Sequence, residues 1–209
     1  MFKKANLHKE KSKAYFDQLA ARYETSGNGR HASTVYPYVF ERLSPLFYRS
    51  ILDVGCGTGE VLSKIVGQKD LFLAGIDLSP NMISIAQEKL KGYADIRVGE
   101  AEELPWPDNS FDVILCLDSF HHYPDPLKVL AEIRRVAKPD GQLFLADFWA
   151  PAPFRQIMNL SLHYGWGDGT VQFYSKRTIC RFLKSAGFTG IQWGRISYNA
   201  YFATAAKPI

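Results

Sequence analysis

Cysteine is scarce: Cys56, Cys116 and Cys180 are the 3 in 209 residues. Their odd number, with no C-x-x-C and no Cys/His ligand spacing, argues against a disulfide framework and a zinc site. Long apolar runs are missing too. Leu71–Ile76 and Val113–Leu117 fall far short of the ~20 apolar residues that cross a bilayer as a helix, so no membrane span is expected. The opening Met-Phe-Lys-Lys lacks the apolar stretch and cleavage site of a signal peptide, and the expected location is cytoplasmic. Net charge is +4, but five of the 25 basic and one of the 21 acidic residues fall in residues 1–13, leaving 20 of each. A body without excess positive charge lacks the bulk attraction to phosphate on which nucleic-acid affinity rests, so no nucleic-acid partner is expected. The lysine run reads as a solvated tail.

From residue 50 onward, short apolar runs alternate with segments of helical period. That is the pattern of a parallel sheet covered by helices on both faces. Strands are expected at Ser50–Val54, Leu71–Ile76, Ile96–Val98, Phe111–Leu117 and Gln142–Phe148, with a closing antiparallel pair at Ile191–Tyr198 and Tyr201–Ala206. Ser79 before Pro80 and Asp125 before Pro126 mark two helix starts. Leu127, Leu130, Ile133 and Val136 are the expected inward face of the second. Ala14–Tyr23, Tyr36–Leu43 and Ser175–Ala186 also read as helices, and residues 25–30 as a turn. Residues 149–174 mix aromatic side chains with glycines and prolines, which suits a cover over a pocket better than a continuous helix. The organisation read here is an N-terminal helical lid over residues 1–44 and one α/β domain over 45–209.

The loop Gly55-Cys-Gly-Thr-Gly59, between a first strand and a helix, lets a ligand approach the backbone and the helix N-terminus. It departs from the dinucleotide fingerprint, because Glu60 stands where the third glycine would fall. Asp53, two residues before the first glycine, is an awkward neighbour for a pyrophosphate. No Gly-Lys-Ser/Thr follows, which excludes a P-loop. An acid-flanked loop suits a ligand with positive groups and a ribose instead. Asp77 at the end of the second strand can accept two hydrogen bonds from a ribose diol, and Glu100 and Glu102 follow the third strand on the same rim.

Ile51-Leu-Asp-Val-Gly-Cys-Gly-Thr-Gly59, Gly75-Ile-Asp77-Leu-Ser, Gly99-Glu-Ala-Glu-Glu-Leu-Pro105, Phe111-Asp112 and Lys138-Pro-Asp-Gly141 together resemble the class I S-adenosylmethionine-dependent methyltransferases, in the small-molecule group called methyltransferase type 11. The likeness covers about residues 45–148. It implies a doubly wound, mostly parallel seven-stranded sheet with a C-terminal antiparallel strand. S-adenosylmethionine is the implied cofactor, and the implied partner is a small, partly apolar methyl acceptor. Gly55, Cys56 and Gly57 would pass under the methionine part, with Asp53 near its ammonium. Asp77 would hold the ribose, with Leu78 and Met82 against the adenine. Ala101, Glu100 and Glu102 would face the base, and Leu117 the methionyl group. Tyr15-Phe-Asp-Gln-Leu-Ala20 with Tyr23 is similar to the helix that such enzymes fold over the cofactor. Relatives usually carry aspartate where Glu100 stands and glycine where Asp140 stands.

Cys56 sits where helix polarity would favour a thiolate, but its place between two loop glycines favours close packing. His121 and His122 follow the fourth strand at the mouth of the site and are the candidate bases. No Glu or further His stands at ligand spacing, so no metal is expected. Trp149, Tyr164 and Trp166 are candidates for the acceptor cover. Two rival functions share the loop: a cofactor-binding subunit without activity, and a nicotinamide oxidoreductase, the latter disfavoured by Glu60 and Asp53. A nucleic-acid methyltransferase would show Asn/Asp-Pro-Pro-aromatic after the fourth strand, where this chain reads Leu117-Asp-Ser-Phe120.

Overall fold

The computed structural model describes residues 2–67, 70–163 and 169–209. Seven strands form one sheet: β1 (Ser50–Val54), β2 (Phe72–Asp77), β3 (Ala94–Val98), β4 (Phe111–Leu117), β5 (Ala137–Phe148), β6 (Thr189–Arg195) and β7 (Ala200–Ala206). Their order is β3-β2-β1-β4-β5-β7-β6. β1 to β5 are parallel, and β7 runs antiparallel to both β5 and β6. This is the expected fold.

Alternation along the strands builds two cores. Leu52 and Val54 of β1, with Ile114 and Cys116 of β4, face one side, where α6 (Pro126–Val136) and α8 (Lys176–Ser185) cover them with Val129, Leu130, Ile133, Ile179 and Leu183. Ile51, Val113 and Leu115 face the other side, under α3 (Tyr36–Leu43), α4 (Glu60–Ser63) and α5 (Pro80–Lys89). Strands buried on both faces are mostly apolar, which is why β1 and β4 were legible as short runs. Ser79 and Asp125 cap their helices as expected, accepting from the backbone N–H of Met82 and Lys128, and Ser175 caps α8 in the same way.

Four local expectations are corrected. The lysine-rich start is not a solvated tail: residues from Phe2 to Leu19 form α1, continued by a 3₁₀ turn to Thr25. Residues 25–30 are not only a turn. Ser26 accepts from the N–H of Gly29 and starts α2 (Gly27–Ser33), whose two glycines hide a capped helix. The cover segment contains a ten-residue helix, α7 (Phe154–His163). Leu127 is 44% exposed, because the buried stripe of α6 starts instead at Val129. No helix among the described residues is long and apolar enough to cross a membrane.

Candidate active site

The strand order reverses between β1 and β4, and a crevice opens beyond the carboxyl ends of strands at such a point. A cavity lies there. Its floor is the loop after β1, where Gly55 has φ +80° and packs so closely that an added Cβ would stand 2.5 Å from the Cβ of Ser119. The N–H groups of Gly55 and Cys56 both donate to the Ile76 carbonyl, which locks the loop onto β2.

Asp77 ends β2 inside this cavity. Its Oδ2 accepts from Gly57 N at 3.0 Å and its Oδ1 from Ser79 N at 2.9 Å, so one carboxylate aligns the glycine loop and the start of α5. Burial raises its pKa against the lowering effect of these amides. Asp53 is 2% exposed, and burial first, then the charge of Asp77, pushes it up to about 7. Two buried acids without a basic side chain as a direct ion-pair partner, among the described residues, favour a ligand that brings positive charge.

Of the expected cofactor residues, the cavity is lined by Tyr23, Gly55, Gly57, Asp77, Leu78, Met82, Glu100, Ala101, Glu102 and Leu117. Three are placed elsewhere. Asp53 lies behind the wall within β1. Cys56 is buried against Gly75, an inert packing thiol whose pKa burial pushes up. Tyr15 is 37% exposed, with its ring edge-on to Phe16, and Phe16 is the aromatic of α1 that reaches the cavity. Lys9, Ser12 and Lys13 of α1 also line it. A floor of close-packed glycine backbone and a carboxylate wall fit an S-adenosyl cofactor.

A second cavity adjoins the first. Phe16, Tyr23, Asp118 and His122 belong to the walls of both. Beyond them it is lined by Gly27, Asn28, His31, His121, Phe148, Thr170 and Phe173. Of the two candidate bases, His122 faces both cavities, and His121 only the second. The His121 Nδ1 is 2.5 Å from Asp147 Oδ1, and its backbone N–H donates to Asp147 Oδ2. Trp149 lines neither cavity: it packs on the core, with the Arg195 guanidinium 5.0 Å above its ring. Tyr164 and Trp166 lie outside the described residues.

Asp118, His121 and Asp147 each present a ligand-type atom, all within 4.8 Å of one another. That cluster is invisible in the sequence spacing. Both oxygens of Asp147 already accept N–H groups from His121 and Phe148, and Asp118 Oδ2 is taken by His31, so three of the four carboxylate oxygens of the cluster serve hydrogen bonds. His31 and Asp118 were not expected at the site. Asp118 carried a signal, since it follows β4 as directly as Asp77 ends β2, but His31 of α2 carried none.

Residues 52–145 match the family model described as "Methyltransferase domain". The chain is 39% identical over 143 residues to the 27-O-demethylrifamycin SV methyltransferase of Amycolatopsis mediterranei, covering 66% of this chain and 53% of that protein. It is 33% identical over 168 residues to the demethylmenaquinone methyltransferase of Bacillus velezensis, covering 68% and 72%. The chain thus spans about half the length of the rifamycin relative and of a second demethylmenaquinone methyltransferase, from Bacillus licheniformis. The fold is shared with the Haemonchus contortus phosphoethanolamine N-methyltransferase 2 solved with S-adenosyl-L-methionine. The TM-score is 0.71 at 18% identity, over 93% of this chain and 60% of that one.

Proposed function

This chain belongs to the S-adenosylmethionine-dependent methyltransferases, and we propose that it moves the methyl group to an oxygen, nitrogen or carbon of a small, partly apolar molecule. The observation that carries the reading is the pair of adjoining cavities. One has the glycine floor and the acids suited to the donor, and the other has aromatic and imidazole walls suited to an acceptor. When bound, the cofactor supplies a methyl group on a sulfonium, an electrophile that needs no further activation.

The protein's part is then to hold, orient and keep dry. Gly55, Gly57 and Asp77 would hold the methionyl and ribose parts. Met82, Leu78, Ala101 and Glu100 would hold the base. Phe16, Tyr23, Asp118 and His122, common to both cavities, would frame the passage of the methyl group. In-line transfer needs the reacting atoms about 3–3.5 Å apart in a site that excludes water. A rifamycin and a demethylmenaquinone enzyme among the relatives support a small-molecule acceptor.

Calorimetric titration with S-adenosylhomocysteine and, in parallel, with NADH tests the donor assignment. Saturable binding of the first and none of the second is the expected result. The reverse would move the chain to the oxidoreductases. Binding of S-adenosylhomocysteine without methyl transfer to any of a panel of phenols, amines and acidic carbon compounds would favour the inactive-subunit reading.

A further inference from the structure

Asp118 is held in an unusual way. Its backbone has φ +52°, a left-handed conformation that costs a side-chain-bearing residue free energy and persists only where the surroundings impose it. Its N–H donates to Ala146 O at 2.7 Å, and its side chain is 8% exposed. Oδ2 lies 2.9 Å from His31 Nδ1, while Oδ1 is buried and has no hydrogen-bond partner among the described residues. A buried carboxylate oxygen without a donor is costly, and here it belongs to a residue in the wall between the two cavities. His31 has an oxygen at each nitrogen, Asp118 on one side and Asn199 O at 3.3 Å on the other, an arrangement that suits the doubly protonated ring. Burial pulls its pKa down, but the hydrogen bond and charge of Asp118 outweigh this and raise it. The ring stands 5.6 Å from Phe148, and Phe173 lines the same cavity.

We propose that Asp118 Oδ1 seats an aromatic methyl acceptor by taking a hydrogen bond from its O–H or N–H, with His31 as the positioning residue that fixes the carboxylate. The inference rests on the methyl-transfer reading. In the reaction the acceptor's lone pair forms the bond to the methyl carbon as the C–S bond breaks and its electron pair stays on sulfur. The proton leaves the acceptor for Asp118 Oδ1 and passes from there to water. The aromatic rings of Phe16, Tyr23, Phe148 and Phe173 select a planar partner, and Asp118 selects a hydrogen-bond donor on it.

The test is ¹⁹F NMR titration of 4-fluorophenol and 4-fluoroanisole, which share a ring and differ in the donor, into the full chain saturated with S-adenosylhomocysteine. The wild type should bind the phenol at least about tenfold tighter, the usual worth of a hydrogen bond to a charged group. Asp118→Asn keeps a residue that tolerates left-handed backbone. With its amide oxygen on His31 it would turn a donor into the cavity, and the preference should vanish. His31→Phe should also erase it, whereas His31→Gln, whose amide can still donate to Asp118, should keep most of it. Equal affinities in the wild type, no saturable binding of either arene, or a preference that survives Asp118→Asn would each overturn the proposal. The wild-type comparison decides even if a variant fails to fold. Failure of S-adenosylhomocysteine to bind would instead remove the methyl-transfer reading itself.

Discussion

Lys9 Nζ lies 2.6 Å from Glu100 Oε2 and 3.2 Å from Glu102 Oε2, so a single ammonium joins α1 to the loop after β3 across the donor cavity. Asp17 adds a second link, accepting from Ser79 Oγ at 2.6 Å. We propose that α1 lets go when a ligand enters, which makes the first 35 residues the expected lid. Lys9→Met should lower the thermal midpoint, since it leaves the buried Glu102 carboxylate, 4% exposed, without its ammonium. It should also speed amide exchange in residues 5–35 of the free protein. Adding S-adenosylhomocysteine should slow exchange there in the wild type. A ligand-independent profile would remove the lid.

Asp77→Ala is expected to weaken S-adenosylhomocysteine binding by about 1.5–3 kcal/mol, the worth of hydrogen bonds to a charged group. Because Asp77 also satisfies the amides of Gly57 and Ser79, the variant should lose stability as well. Calorimetry and urea unfolding on the same preparation separate the two losses. An unchanged dissociation constant in a destabilised protein would make Asp77 a loop brace only.

How much of this could be read from the chain depends on how local the physics is. β1, its glycine loop and Asp77 are set by contiguous residues, and so are the caps Ser79 and Asp125, hence their legibility. α2 was hidden because Gly27 and Gly29 look like turn residues, while its start depends on one hydroxyl, that of Ser26. The His31–Asp118 pair spans 87 residues, and only the assembled sheet brings the partners together. Lys9 looked like solvated charge because its partners, Glu100 and Glu102, lie on a distant loop.

Ligand-free protein should lose stability as pH rises. Unfolded Asp53 gives up its proton near 3.8, whereas the buried, folded group keeps it to about 7. Between those values the native state binds more protons, so stability falls with rising pH across that window and levels off above it. His31 acts with the same sign. Its raised folded value gives a contribution that is complete below about 6.5 and lost as pH climbs through the folded value. Asp53→Asn should flatten the dependence of the thermal midpoint between pH 4 and 7. Identical slopes for wild type and Asp53→Asn would show that this carboxyl is not the group responsible.

The two adjacent histidines should respond differently to removal. Their rings are 4.1 Å apart, yet His121 is the partner of Asp147, a side chain 1% exposed, and bonds it through both Nδ1 and its backbone N–H. His121→Ala would leave a buried carboxylate short of its ring donor, with Phe148 N and His121 N remaining. The expected cost is about 1.5–3 kcal/mol of stability, seen in urea unfolding. His122 packs edge-on to Phe16 at 5.0 Å, in the wall between the cavities. His122→Ala should therefore cost little stability but loosen 4-fluorophenol binding in the loaded protein, through an opened passage and a lost ring contact. A sulfonium is already activated, and a base contributes about 10²–10⁴-fold, so neither variant should abolish transfer to an acceptor that the wild type methylates. Inactivation of both, with folding and S-adenosylhomocysteine affinity intact, would mean that proton removal runs through the imidazoles and not through Asp118.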